Sequence, residues 1–151
     1  MSVVSIEQGT CIYFLDSLPN VGFIADAGGI FKTTDGGYTW SGTHDIYVTF
    51  DFAFRDSLTG WRAGFLQSTT DGGRSWQIPS DSFGAFDVYY DAKDSGLFLA
   101  GGKHDTDGIW VSWDLGKTWS VVTNSVDAVC YGGFSFWNGD TGVVGPWCNG
   151  S

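Results

Sequence analysis

A chain of 151 residues with 12 Phe, 8 Trp, 6 Tyr and 23 Gly, and only 16% charged residues, has the make-up of an all-β protein with a sizeable core rather than a helical one. Seven Lys and Arg against 17 Asp and Glu leave a net charge of −10, which repels polyanions and excludes nucleic acid as a partner. No apolar run approaches the roughly 18 residues of a membrane helix, so no membrane insertion is expected. The start, from Met1 to Glu7, lacks the basic and apolar regions of a signal peptide. That suits a cytoplasmic chain, or an excised piece of a longer, extracytoplasmic one.

Along the chain the same order of elements recurs. The first unit offers a strand at 11–15, a turn at 16–22, a second strand at 23–25 and a third at 30–33. It then runs through Thr33, Asp35, Gly37, Thr39 and Trp40, where a fourth strand begins. The second unit repeats this with strands at 51–55, 61–64 and 66–69, the residues Thr69, Asp71, Gly73, Ser75 and Trp76, and a fourth strand from Trp76. The third has strands at 88–92, 97–100 and 109–112, then Ser112, Asp114, Gly116, Thr118 and Trp119. A fourth copy starts at Phe134, turns at 138–142 and breaks off after Gly145. Short β-branched and aromatic runs bounded by Gly, Asp and Asn are the strand signal. Four-stranded repeats of about 40 residues are the blades of a β-propeller. The expected fold is therefore all-β, a partial propeller of about three and a half four-stranded antiparallel blades. We read residues 1–151 as one incomplete propeller domain, with blades at about 11–42, 51–79, 88–123 and a truncated 133–151. Closure as a small four-bladed ring through residues 3–7, and self-association of several chains into one ring, stay open beside the fragment reading.

The repeated aspartates look at first like an acidic active site, but turn chemistry accounts for them. A carboxylate in a tight hairpin accepts backbone N–H groups that the turn leaves unpaired. The Gly two residues later permits positive φ, and the Trp anchors the hairpin with a large apolar body. A catalytic group is needed once per site, not once per blade, so Asp35, Asp71 and Asp114 are expected to be structural. This constellation resembles the Asp-box, or bacterial neuraminidase repeat. Residues 51–76 look most like the photosystem II stability/assembly factor group of propellers, and residues 108–119 look equally like sortilin-type and xyloglucanase-type repeats. The resemblance implies a propeller whose Asp motifs lie on the periphery, away from any active site.

Strand parity places the Asp motifs and the first turns of each unit on one face, and the remaining connections on the other. That other face carries His104, Asp105 and Asp107, with His44 and Asp45 next, as candidate ligand-binding loop residues. Cys11, Cys130 and Cys148 form no metal-binding spacing. Cys130 and Cys148 flank one expected hairpin, and both a disulfide and two buried thiols fit them. No cofactor motif and no metal-ligand set is present. A sialidase reading fails because Arg55, Arg62 and Arg74 come from one unit and Glu7 is the sole glutamate. A xyloglucanase-like hydrolase needs two carboxylates across a cleft, for which Asp51, Asp87 and Asp91 lie near first strands. The function expected is a non-catalytic scaffold binding a protein or a glycan. The alternative is a piece of a secreted glycoside hydrolase with catalytic residues partly outside this chain.

Overall fold

A computed structural model describes residues 9–26, 29–44, 47–80, 84–103, 106–123, 134–138 and 141–144. Among them there is no helix, and hence none long and apolar enough to cross a membrane. Among the described residues, thirteen strands follow one another in antiparallel order. The first blade is a four-stranded sheet of β1 (Gly9–Leu15), β2 (Leu18–Asp26), β3 (Gly29–Thr33) and β4 (Ser41–His44) in sequential order. The second contains β5 (Thr49–Phe54), β6 (Gly60–Phe65) and β7 (Gln67–Thr69), and the third β8 (Gly84–Asp91), β9 (Gly96–Lys103), β10 (Thr106–Ser112) and β11 (Ser120–Thr123). A final hairpin joins β12 (Phe134–Asn138) to β13 (Thr141–Val144).

The elements depart from the sequence expectation in four places. No fourth strand follows Trp76; a single bridge between Ser68 and Gln77 stands in its place. Pro79 comes two residues later, and a proline lacks the N–H that would extend the ladder. The turn expected at 16–22 is only Asp16 and Ser17, because β2 starts at Leu18 and pairs it with Leu15. In the third blade, residues 101–108, expected as a loop, mostly continue the β9–β10 ladder, with Lys103 opposite Thr106 and Gly101 opposite Gly108. The first strand of this blade also begins early, and Gly84 and Ala85 pair with Phe65 and Gly64 of β6. That link joins the second and third blades into one seven-stranded sheet.

The core lies between blades rather than within them. Leu15, Phe23, Ala25 and Ile30 of the first blade meet Phe52 and Phe54 of the second, where Phe23 stacks on Phe54 at 4.6 Å between centroids. Ala53, Trp61, Ala63 and Leu66 of the second meet Ala85, Val88, Leu97 and Leu99 of the third. Strand alternation sends these residues to facing surfaces, and their removal from water is the main stabilising term. Arg62 is buried in the second blade, where it donates to Gln67 Oε1 and, at 3.2 Å, to Thr49 Oγ1. Its guanidinium lies over the rings of Trp76 and Tyr47, which compensates burial of the charge. Sequential antiparallel blades packed face to face are the arrangement of a β-propeller, about three and a half blades of it.

Candidate functional site

The three Asp motifs form hairpins with the same side-chain hydrogen-bond pattern, between the third strand of each blade and the chain that follows. In the first, the Thr33 hydroxyl donates to Asp35 Oδ1 at 2.7 Å and accepts the Gly37 N–H at 2.9 Å. The Thr39 N–H donates to Asp35 Oδ1 at 2.9 Å, and its hydroxyl to Oδ2 at 2.6 Å. Thr69, Asp71, Gly73 and Ser75 repeat the pattern in the second, and Ser112, Asp114, Gly116 and Thr118 in the third. Donation from the Thr39 hydroxyl and amide, then from Thr33, holds the Asp35 carboxyl down to about 2. Thr118 and Ser112 do the same for Asp114, also to about 2. Ser75 and Thr69 hold Asp71 well below the usual carboxylate range. These carboxylates stay ionised and are committed to their own turns.

The second and third hairpins also reach backwards. An added Cβ on Gly73 would lie 2.7 Å from the Phe23 ring of the first blade. Gly116 lies on the second blade less closely, with Trp61 Nε1 3.4 Å from where its Cβ would be. Lys32 of β3 donates to Gly72 O at 2.6 Å. The first turns of the blades lie on this same face: the Gly36 N–H donates to Asn20 O at 2.9 Å and the Gly72 N–H to Leu58 O at 2.8 Å.

Two openings lie toward this face. A cavity of about 430 Å³ runs along the inner strands β1, β5 and β8 of the three blades. Its walls are aromatic, with Tyr13, Phe54 and Tyr89, and include the buried Asp91; Asp16, Arg55 and Asp56 also line it. Burial raises the Tyr13 hydroxyl above its ordinary value, opposed by the Phe54 N–H that it accepts at 3.4 Å. Burial, then the charges of Asp91 and Asp16, raises Tyr89. Both phenols therefore stay neutral hydrogen-bonding groups. A second, wider cleft of about 550 Å³ lies beside it, where Arg55 meets Trp113, Leu115 and Lys117 of the third hairpin.

Deeper on the inner strands, Asp51 of β5 and Asp87 of β8 are hydrogen-bonded to each other. The Val88 N–H also donates to Asp51 Oδ2 at 3.3 Å. Burial, then the Asp87 charge, pushes the Asp51 carboxyl up to about 7. Two carboxyl groups this close hold a proton between them rather than two charges. Both lie at register shifts, between Thr49 and Phe52 in β5 and between Ala85 and Asp87 in β8. Bulges re-aim side chains, and that is how two polar residues on apolar strands come to face each other. Sequence alternation alone does not reveal the pair, because a bulge shifts the parity on which alternation rests. The signal available was the placement of two acids within inner strands.

Of the other candidates named from the sequence, His44 lies at the end of β4 opposite Gly29, and Asp107 in β10 opposite Gly102. They belong to different blades. Asp45, His104, Asp105, Cys130 and Cys148 lie outside the described residues. Cys11 Sγ donates to Thr49 O at 4.0 Å, across the first two blades.

No family model matches the chain, and no curated protein matches it. Solved structures do. YCF48 from Cyanidioschyzon merolae matches over 79% of this chain and 38% of its own, with a TM-score of 0.65 and 22% identity. YCF48 bound to a D1 peptide matches over 84% of this chain and 44% of its own, with a TM-score of 0.65 and 20% identity. An ancestral GH74 enzyme matches over 87% of this chain and 21% of its own, with a TM-score of 0.68 and 15% identity. The chain thus spans less than half the length of each. These likenesses establish the propeller fold.

Proposed function

We propose that the chain is a non-catalytic propeller module whose inner-strand cavity binds a segment of another protein. The observation that carries this reading is the cavity of about 430 Å³, built from three successive blades, with aromatic walls and a lining of mixed charge. Small concave sites with a few convergent polar groups are the usual binding geometry. That one structural neighbour is YCF48 bound to a D1 peptide supports a peptide as the ligand type. The exposed Asp16 carboxylate favours a segment that brings donors or positive charge.

A second reading, part of a glycoside hydrolase, has support in the GH74 neighbour. The acid pair argues against it. Glycosidase carboxyl groups stand about 5 Å apart or wider, to admit the sugar carbon or a water. Asp51 and Asp87 instead bond each other directly.

Fluorescence anisotropy with labelled peptides tests the proposal, using the D1 peptide alongside basic and acidic control peptides. Binding that weakens about tenfold or more in Tyr89→Ala and in Asp16→Ala supports it. Binding unchanged in both variants, or no binding by any of the peptides, overturns it. Release of reducing sugar from a β-glucan, abolished by Asp51→Asn or Asp87→Asn, also overturns it in favour of the hydrolase.

A further inference from the structure

Among the described residues, two that are not glycine have left-handed backbones, Ser95 at φ 59° and Leu115 at φ 63°. Both line the same cleft of about 550 Å³. The other two hairpins place Gly36 and Gly72 at the position of Leu115, with φ of 76° and 71°. A leucine there costs conformational energy that the hairpin itself does not require. Such strain gathers at ligand-holding sites.

Trp113 breaks the repeat in the same way, since the first two hairpins carry Thr34 and Thr70 at its position. It is held rigidly. Its ring lies 2.7 Å from where a Cβ on Gly96 would stand and meets Phe98 edge-on at 5.9 Å. In the first two blades the corresponding glycines, Gly22 and Gly60, are covered by Phe14 and Phe54 of their own first strands. Covering Gly96 explains one side of Trp113, yet 61% of the residue remains open to solvent. The cleft also carries Arg55 and Lys117, two of the seven cations of a chain of net charge −10. Arg55 pairs with Asp56 at 3.0 Å through Nε, while the Asp114 carboxylate is committed to its hairpin.

We infer that this cleft is a binding site for a short acidic saccharide of the uronate type. The fixed indole offers a flat, electron-rich face to the polarised C–H groups of a pyranose ring. Lys117 and the outer guanidinium nitrogens of Arg55 offer charge-assisted donors to its carboxylate. The volume suits a small ligand. An extended peptide fits less well, because the lining is almost wholly turn residues and gives no strand edge to extend. The site is separate from the proposed peptide-binding role of the inner cavity, although Arg55, Tyr90 and Ala92 border both openings.

Isothermal titration of the whole chain with trigalacturonate tests the inference, with cellotriose and a Glu-rich peptide as comparisons. Trigalacturonate should bind, weaken with added salt, and exceed cellotriose by about tenfold. Trp113→Ala should reduce the affinity about tenfold, and Lys117→Glu should remove the preference for acid. Leu115→Gly keeps the hairpin in the form of the other two, so a loss of affinity without loss of folding marks Leu115 as a ligand contact. It also keeps the test decisive if Trp113→Ala fails to fold. Tyr89→Ala should leave saccharide binding intact, which separates this outcome from failure of the peptide-binding reading. No binding of trigalacturonate, equal binding of cellotriose, tighter binding of the peptide, or indifference to Leu115→Gly and Lys117→Glu overturns the inference.

Discussion

Replacing Asp51 with Asn is expected to stabilise the protein at neutral and alkaline pH while changing little near pH 4. In the folded chain its carboxyl titrates at about 7, against 3.8 as its ordinary value. A carboxyl raised by folding binds its proton more tightly folded than unfolded, so its contribution is best below 3.8 and is lost as pH rises toward 7. Each pH unit in that window costs about 1.4 kcal/mol, giving a ceiling on the order of 4 kcal/mol by pH 8. Sharing of the proton with Asp87 and local relaxation reduce this to ~2–3 kcal/mol. Asn keeps an oxygen to accept the Val88 N–H and gains an N–H for the Asp87 carboxylate. At roughly 2–4 °C per kcal/mol for a domain of this size, Asp51→Asn should melt about 5–10 °C above the wild type at pH 8. Thermal unfolding followed by circular dichroism from pH 4 to 9 on both proteins gives the comparison. Groups elsewhere titrate in both, so the difference isolates the pair. A wild type whose Tm is flat from pH 5 to 8, or a variant that parallels it throughout, refutes the reasoning.

The hairpin aspartates act with the opposite sign. Their carboxyls are depressed, so their stabilisation is present above the ordinary value of 3.8 and disappears as pH falls toward about 2. Asp35→Asn and Asp114→Asn should therefore lower Tm at pH 7 and flatten its decline below pH 4, as read by the same melts. Gly73→Ala should cost about 1–3 kcal/mol in urea unfolding, since φ is 92° at its counterpart Gly37 and 80° at Gly73 itself, and the new methyl meets the Phe23 ring. Gly84→Ala is the control: nothing lies within 4 Å of the added carbon, and a change within about 0.5 kcal/mol is expected.

The sequence disclosed the blades because each carries an obligatory local device. A hairpin that needs Asp35 to accept the Thr39 N–H writes that need into a short, regular motif. The pairing of Asp51 with Asp87 left no such mark. It depends on two bulges and on contact between blades, and neither is encoded within a few residues of either acid. The fourth strand of the second blade was misjudged for the converse reason, a strong repeat overridden by one local feature, Pro79. Trp113 was legible as a variant of the motif. Its meaning came only with Gly96, which in this blade finds Asp91 rather than a phenylalanine opposite it.

The hairpins bear on function through what they leave uncommitted. A propeller blade cannot bury its faces alone, so the second and third hairpins are bound on both sides, to their own strands and to the preceding blade. Gly73 against Phe23, Gly116 against Trp61 and Lys32 bonded to Gly72 O are the backward contacts. A position fixed on both sides tolerates little change, and a departure from its pattern signals another demand. Tyr38, Arg74 and Lys117, by contrast, share one position in the three hairpins and have three chemistries, as expected of an exposed site that the hairpin does not constrain. Leu115 is different. It occupies a left-handed position that glycine fills in the other two hairpins, and its side chain packs against the core between the second and third blades. That packing offsets part of the backbone cost, and the same left-handed turn sets Leu115 on the lining of the cleft. By that logic the third hairpin joins structure to recognition, and its cleft, with the inner cavity beside it, turns the Asp-motif face into the binding face.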